Sequence, residues 1–101
     1  MLAQLRIYDI KPDLMEQWLT LFRDKVVPMH AKFDLPVLAA WVDTETSQFV
    51  WVRGFAGDGT IEEQETRYRN SEERARVIGD EPKRFIERMQ VRDLEQVYPI
   101  G

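Results

Sequence analysis

The stretch FVWVRGFA, residues 49–56, decides the fold, because it reads as an apolar strand with one arginine near its middle. A strand sends alternate side chains to opposite faces of a sheet. The aromatic residues Phe49, Trp51 and Phe55 therefore share one face with Arg53. A guanidinium on a buried face is costly unless it is paired, hydrated or bound to an anion. Arg53 is thus either an internal ion-pair partner or a contact for an anionic ligand.

The chain alternates between strand and helix patterns on both sides of this stretch. Apolar alternation and β-branched runs predict strands over about 2–9, 37–43, 48–55 and 91–98. Apolar residues at helical spacing predict a long helix over about 13–33 and a second helical region over about 60–90, broken into two or three pieces. Pro28 lacks a backbone donor, so the first helix should loosen near Val27.

The order β-α-β-β-α-β predicts an α+β, ferredoxin-like fold with a four-stranded antiparallel sheet, formed by a single domain of residues 1–101. Right-handed crossovers place both helices on one face of the sheet. Val50, Val52 and Gly54 are small enough for close helix packing, which would turn the aromatic row of strand three towards the uncovered face. A second copy covering that row predicts a homodimer whose two sheets face each other as a barrel.

Composition and absent motifs exclude several classes of function. The net charge is −4, and 14 basic residues are interleaved with 18 acidic ones, so nucleic acid is not an expected partner. No apolar run approaches the roughly 18 residues that span a bilayer, which predicts a soluble protein without a membrane partner. The lack of cysteine fits a reducing cytoplasm, and a single histidine excludes a histidine metal cluster within one chain. Without P-loop, dinucleotide or nucleophile-elbow motifs, we expect no cofactor and no metal.

The candidate binding residues come from strands one and three, which are neighbours in this topology. Arg6 and Tyr8 should share the barrel side with Trp51 and Arg53, so two guanidiniums would lie over one cavity with aromatic walls. Planar guanidinium donors suit a carboxylate, an enolate or a phosphate, and an anionic or phenolic small ligand would fit. The alternative is that acidic side chains of the same chain or its dimer mate already pair with these arginines. The candidates for that role are Asp43, Asp93 and Glu95.

His30 is the first candidate for a general base, because its ordinary pKa of about 6.5 lies near neutrality. The alternative is structural, since a histidine near the end of a helix can interact with the helix dipole and the last carbonyls. Haem ligation by His30 is disfavoured, because a packed helix leaves no open axial position. The mixed charges over 62–76 predict a solvated helical face with no catalytic or binding role.

Three pieces of the sequence carry a resemblance to a known family: LRIY at 5–8, the tryptophan at 41 and FVWVRGF at 49–55, joined by the long first helix. They resemble the NIPSNAP family, within the wider dimeric α+β barrel superfamily. The resemblance covers nearly the whole chain and implies a ferredoxin-like fold and dimerisation. Proteins of this fold include cofactor-independent monooxygenases, isomerases, haem enzymes and binding proteins, so the resemblance leaves the activity open.

We therefore expect a NIPSNAP-like domain that binds a small organic molecule, anionic or aromatic, in a barrel formed by the dimer. One alternative is a cofactor-independent monooxygenase or isomerase, in which Arg53 and Arg6 stabilise an enolate or phenolate while Tyr8 or His30 moves a proton. Another is a protein-interaction dimer with a filled interface. Whether the protein is an enzyme is left open by the sequence.

Overall fold

The computed structural model describes residues 1–99, so the last two residues of the predicted domain lie outside the described part. Four strands form one antiparallel sheet in the order β2-β3-β1-β4, and helical segments cover one of its faces. This is the expected α+β, ferredoxin-like arrangement. The elements are β1 (Leu2–Ile10), α1 (Met15–Leu21), a π-helical turn (Phe22–Val26), α2 (Val27–Lys32), β2 (Val37–Asp43), β3 (Gln48–Phe55), α3 (Ile61–Arg69), α4 (Glu72–Val77), a 3-10 turn (Glu81–Arg84) and β4 (Ile86–Glu95).

The predicted irregularity in the first helix is confirmed as a π-helical turn over Phe22–Val26. The backbone N–H of Val27 donates to the carbonyl of Phe22, five residues earlier. Pro28 follows directly and has no N–H to return to the preceding turn, so a regular α-helical ladder cannot continue through this point.

The second helical region is broken into three pieces, as predicted, and its start is fixed by a capping box. The Thr60 hydroxyl accepts from the backbone N–H of Glu63, and the Glu63 carboxylate accepts from the backbone N–H of Thr60. This reciprocal pair satisfies two of the free donors at the start of α3. Gly59 has a φ of 95°, a conformation that favours glycine, and turns the chain into the cap.

The fourth strand differs from its predicted bounds, since β4 runs over Ile86–Glu95 instead of 91–98. It pairs with β1 along its length, from Ile10 opposite Ile86 to Leu2 opposite Glu95. Most of its side chains are exposed on both faces of this edge strand, so no period of two marks them in the sequence. A strand can be recognised from its sequence when one face is buried, because burial, and not strand pairing, produces the alternation of apolar and polar residues.

The predicted orientation of the sheet is wrong, because the aromatic row of β3 faces the helices. Phe49 packs edge-on against Trp18 with ring centroids 5.6 Å apart, and Trp51 packs against Phe22 at 5.2 Å. Large rings from both layers are needed to fill the space between helices and sheet at close-packed density. Gly54 is instead accommodated on the opposite face, where an added Cβ would lie 2.8 Å from the Met1 sulfur.

The sheet face opposite the helices, which we call the outer face, is apolar over β1 and β3 and is uncovered by any described element. Pairing of Leu5 with Val52 and of Ile7 with Val50 places these four side chains there. Trp41, which pairs with Val50, is 57% exposed. No helix among residues 1–99 is both long and apolar enough to cross a membrane.

Candidate functional site

A cavity of about 150 Å³ lies within one chain, between the helix-covered face of the sheet and the helices. The sheet contributes Arg6, Tyr8, Trp51 and Arg53 to its lining, and α2 contributes His30. The other wall comes from the second helical region. Its charged or aromatic members are Glu65, Tyr68, Arg69 and Arg74.

The five residues singled out from the sequence thus line one cavity, but not at the predicted place. Arg6, Tyr8, Trp51 and Arg53 were expected in a barrel between two copies of the chain, whereas their cavity is internal to one copy. The cause is the reversed orientation of the sheet described above. Tyr8, Trp51 and Arg53 are each at most 5% exposed, so the fold itself already removes them from solvent.

Arg53 is held by three groups from three different elements. Its Nε donates to Oε1 of Gln4 at 3.1 Å, and its Nη1 lies 3.0 Å from Nε2 of His30. Its Nη2 forms an ion pair with Glu65 at 3.5 Å. Burial, with the positive charge of Arg6 nearby, lowers the pKa of Arg53 to about 10, so the guanidinium stays charged at neutral pH.

The partner of Arg53 is therefore Glu65, and not one of the carboxylates considered from the sequence. Asp93 does reach the site, but through an intermediary: it accepts from Nε2 of Gln4 at 2.9 Å. Glu65 sits in α3, within the charged stretch that the sequence marked as a solvated face. That prediction is wrong for the side of α3 and α4 that faces the cavity. A helix packed on a sheet can direct a charged side chain inwards when a side chain of opposite charge lies within ion-pair distance.

Gln4 links the charged groups at the floor of the cavity. Its Oε1 accepts from Arg6 Nη1 at 2.8 Å as well as from Arg53, and its Nε2 donates to Glu65 at 3.1 Å as well as to Asp93. The amide thus uses both its donors and its carbonyl oxygen while being only 2% exposed. Gln4 holds two guanidiniums close together with a neutral group. The only sequence signal for this role is the position of Gln4 on the same strand face as Arg6.

His30 is engaged through both ring nitrogens. Nδ1 lies 2.9 Å from the carbonyl oxygen of Val26, which can only accept, so Nδ1 carries the proton. Nε2 is then the acceptor for Arg53. Burial, reinforced by the charge of Arg53, lowers the pKa of His30 to about 3, so the ring is neutral at physiological pH. In this arrangement His30 fixes the direction of a guanidinium.

Arg6 and Tyr8 form a second polar pair beside Arg53. The Nε of Arg6 donates to the Tyr8 hydroxyl at 2.7 Å, so the hydroxyl oxygen is occupied as an acceptor while its own proton has no acceptor among the described side chains. The Arg6 guanidinium also lies 5.9 Å from the Trp51 ring centroid, within cation–π range. The hydroxyl proton of Tyr8 is thereby available to a bound acceptor.

Donors outnumber acceptors around the cavity. Four arginines and one glutamate line it, although the whole chain carries a net charge of −4. Three buried N–H groups on lining residues have no hydrogen-bond partner within residues 1–99: Nε1 of Trp18, Nε1 of Trp51 and Nε of Arg74. Buried donors normally find partners, so each of these favours a ligand or water that accepts. The cavity suits an acceptor-rich, negatively charged occupant.

The wall formed by α3 and α4 supplies the residues that sequence reasoning missed. Glu65, Tyr68 and Arg69 lie one helical turn apart and share a face. Burial raises the pKa of the Tyr68 hydroxyl, and the guanidinium of Arg74 lies 5.4 Å from the Tyr68 ring centroid. A tyrosine one helical turn after a glutamate was the one sequence signal available for this wall.

The cavity adjoins a second pocket, the basin, through shared lining residues, which gives a route for small molecules. The basin has a volume of about 480 Å³ and shares five lining residues with the cavity. These are Arg69, Arg74, Pro82, Ile86 and Met89. Two arginines therefore stand where the basin and the cavity meet, and they would attract an anion from solution. Among the described residues, no cluster of three metal-ligating side chains occurs.

Comparisons with a family model and with solved structures give matches over nearly the whole chain. The family model described as NIPSNAP matches residues 3–97. An uncharacterized NIPSNAP domain protein from Burkholderia xenovorans superposes with a TM-score of 0.82 at 13% identity, covering 100% of this chain and 99% of that one. A NIPSNAP family protein from Agrobacterium tumefaciens gives 0.79 at 21% identity, covering 93% and 90%. A structure named as an antibiotic biosynthesis monooxygenase gives 0.67 at 20% identity, covering 97% and 100%. No curated protein matches the sequence.

Proposed function

The chain belongs to the NIPSNAP family, and from this premise we propose that its internal cavity binds a small organic anion with a planar, aromatic or conjugated body. The observation that carries the proposal is the excess of donors around the cavity. Four arginines and one glutamate line it, and three buried N–H groups, one of them on the Arg74 guanidinium, have no partner in the described chain. An anionic ligand would satisfy these donors and offset the repulsion between the arginines.

The volume and the walls limit the size of the ligand. A cavity of about 150 Å³ matches the space that holds one benzene-sized molecule and lies well below the pockets of drug-sized ligands. Tyr8, Trp51 and Tyr68 supply aromatic walls against which a single ring can stack or pack edge-on. A one-ring aromatic acid or a short conjugated acid meets both conditions.

Calorimetric titration with benzoate, and with the neutral benzamide as its matched probe, tests the proposal. Benzoate should bind, benzamide should bind at least about tenfold more weakly, and Arg74→Gln should weaken benzoate by about tenfold. Arg76→Gln removes the same charge from the exposed side of the same helix and should leave the affinity unchanged. Equal binding of the two probes, or an equal effect of the two variants, would contradict the proposal.

We further propose that the protein is a homodimer joined through the outer face of its sheet. Leu5, Ile7, Val50 and Val52 form a contiguous apolar surface there, and the exposed Trp41 extends it. Monomers seldom expose such a patch to water, and a second copy presents the same apolar surface for self-association. The apolar interface and the polar cavity would then lie on opposite faces of the sheet, so a filled dimer interface and ligand binding are compatible in one protein.

One observation favours a catalytic alternative, cofactor-independent oxygenation of an enolate or phenolate. The Tyr8 hydroxyl is oriented by Arg6 and keeps a proton to exchange with a ligand, while Arg53 would stabilise the developing oxyanion. In such a reaction one atom of dioxygen enters the substrate as a carbonyl oxygen, and the other leaves as water with the two hydrogens of a methylene group. Oxygen uptake with a one-ring cyclic 1,3-diketone, whose activated methylene group forms an enolate, would support this alternative if Tyr8→Phe abolishes the uptake. No uptake would exclude the alternative for that class of substrate.

A further inference from the structure

The contacts of the Glu65 carboxylate indicate which chemical group the ligand carries. Its Oε1 lies 3.5 Å from Nη2 of Arg53, and its Oε2 accepts from Nε2 of Gln4 at 3.1 Å. Two donors on neighbouring strands thus hold the two oxygens of one planar carboxylate. This donor pair is shaped for a group with two coplanar oxygens about 2.2 Å apart, the spacing that makes carboxylates suitable for bidentate contacts.

Glu65 differs from the donors that hold it in how firmly it is fixed. Its side chain is 23% exposed, whereas that of Arg53 is 5% exposed. Gln4 and Arg53 belong to the two central strands and are locked by several further hydrogen bonds. A glutamate on one face of α3 has rotatable bonds that can carry its carboxylate towards solvent without moving the helix. The donors Gln4 and Arg53 are therefore fixed in place, whereas the carboxylate of Glu65 can move.

We infer that Glu65 is an internal stand-in for the carboxylate of the ligand, and that the ligand takes its place on Arg53 and Gln4 while Glu65 turns towards solvent. The inference rests on the proposed function and narrows it to monocarboxylic acids. Glu65 is the only carboxylate among the described residues that forms an ion pair with the buried Arg53, so in the unliganded protein it supplies the counter-charge that this guanidinium needs. Binding then exchanges one carboxylate for another.

The exchange predicts the sign of a charge substitution. If the ligand competes with Glu65, removing its charge strengthens ligand binding, because the displaced group no longer pairs with Arg53 and no longer repels the incoming anion. If Glu65 instead contributes to the ligand contact, or only supports the fold, the same substitution weakens binding or leaves it unchanged. Glu65→Gln keeps the size of the side chain and a carbonyl oxygen for Gln4, so the cavity wall is retained.

Calorimetric titration of benzoate into the wild type, Glu65→Gln and Glu62→Gln tests the inference. Like charges a few ångströms apart in a partly buried site repel strongly enough that Glu65→Gln should lower the Kd for benzoate by about tenfold or more. Glu62→Gln removes the same charge from an exposed position on the same helix and should change the Kd by less than about twofold. Benzamide and phenol should bind the wild type and Glu65→Gln with equal strength.

The outcomes separate this inference from the proposed function. Benzoate that binds the wild type and Glu65→Gln equally, or the variant more weakly, overturns the stand-in role and leaves the binding function standing. Benzoate and other one-ring acids that bind neither protein overturn both. Glu65→Ala, which removes the competing group completely, should show the same gain as Glu65→Gln, and a loss of affinity in Glu65→Ala would also overturn the inference.

Discussion

Acidification from pH 7 to pH 5 should destabilise this protein through its single histidine. His30 is the only histidine in the chain, and it is buried and neutral, with its proton on Nδ1 and Arg53 donating to Nε2. Its pKa is about 3 in the folded protein against an ordinary value of 6.5. Below pH 6.5 the unfolded chain therefore binds a proton that the folded chain does not, so stability is full above that pH and falls as the pH drops towards 3.

The size of the effect follows from the two pKa values. Between pH 7 and pH 5 the unfolded state gains about 0.7 of a proton at His30, while the folded state gains almost none. The linkage relation converts this difference to a loss of roughly 2 kcal/mol. Most carboxylates titrate below this range, so their contribution is small. Protonation would place a charge in a buried site and, as a smaller cause, set it against the guanidinium of Arg53, and these two costs are the physical source of the loss.

Urea denaturation at pH 7 and pH 5, at one fixed protein concentration, measures this loss. The wild-type midpoint should fall by about 1–2 M, given the usual dependence of unfolding free energy on urea. His30→Gln cannot titrate, and its midpoint should move by less than about a quarter of that amount between the two pH values, whatever its stability at pH 7. An unchanged wild-type midpoint, or a full loss retained in His30→Gln, would refute the account of His30 as a neutral acceptor.

Two further substitutions test the polar floor of the cavity and the outer face. Gln4→Leu should lower the free energy of unfolding by about 2–4 kcal/mol in urea denaturation, because it leaves the buried Nε of Arg53 without its acceptor, whereas the exposed Gln17→Leu should cost less than about 0.5 kcal/mol. A cost for Gln4→Leu as small as that of Gln17→Leu would show that Gln4 does not link the arginines. Val52→Asp places a charge in the middle of the outer face and should convert a dimer to a monomer in sedimentation velocity while benzoate affinity stays within about threefold. A Val52→Asp protein that sediments like the wild type would mean that the outer face is not the interface.

The fold was predictable because several independent local patterns agreed. The alternation along β1 and β3, the apolar spacing of α1 and α2, and the capping box at Thr60 all specify elements that the structure contains. The loosening before Pro28 follows from the missing donor alone and appears as the π-helical turn. Consistency between local signals is what allows a sequence to specify one topology.

The sequence patterns did not predict which face of the sheet the helices cover. Period-two alternation says that Trp51 and Arg53 share a face, and it says nothing about which face the helices cover. Both faces of β3 carry apolar residues, so the choice depends on volume. Trp18 and Phe22 from the helix fill the layer together with Phe49 and Trp51, which only a three-dimensional packing solution can reveal.

The candidate site was predictable in its sheet residues and not in its helical wall. Arg6, Tyr8 and Arg53 stood out because charge and hydroxyl groups interrupt apolar strands, where each must be accounted for. Glu65 and Arg74 lie in a stretch where nearly every second residue is charged, so no single one is conspicuous. Only the packing of α3 and α4 on the sheet distinguishes them from their solvated neighbours.

A crystal structure of the protein soaked with 4-bromobenzoate tests the central claim most directly. The anomalous signal of bromine locates the ligand independently of the protein phases. We expect the bromine between Trp51 and Tyr68, with the carboxylate on Arg53 and the side chain of Glu65 displaced. Bromine bound only on the outer face, or a cavity that stays closed by the Glu65–Arg53 pair at saturating ligand, would contradict the account.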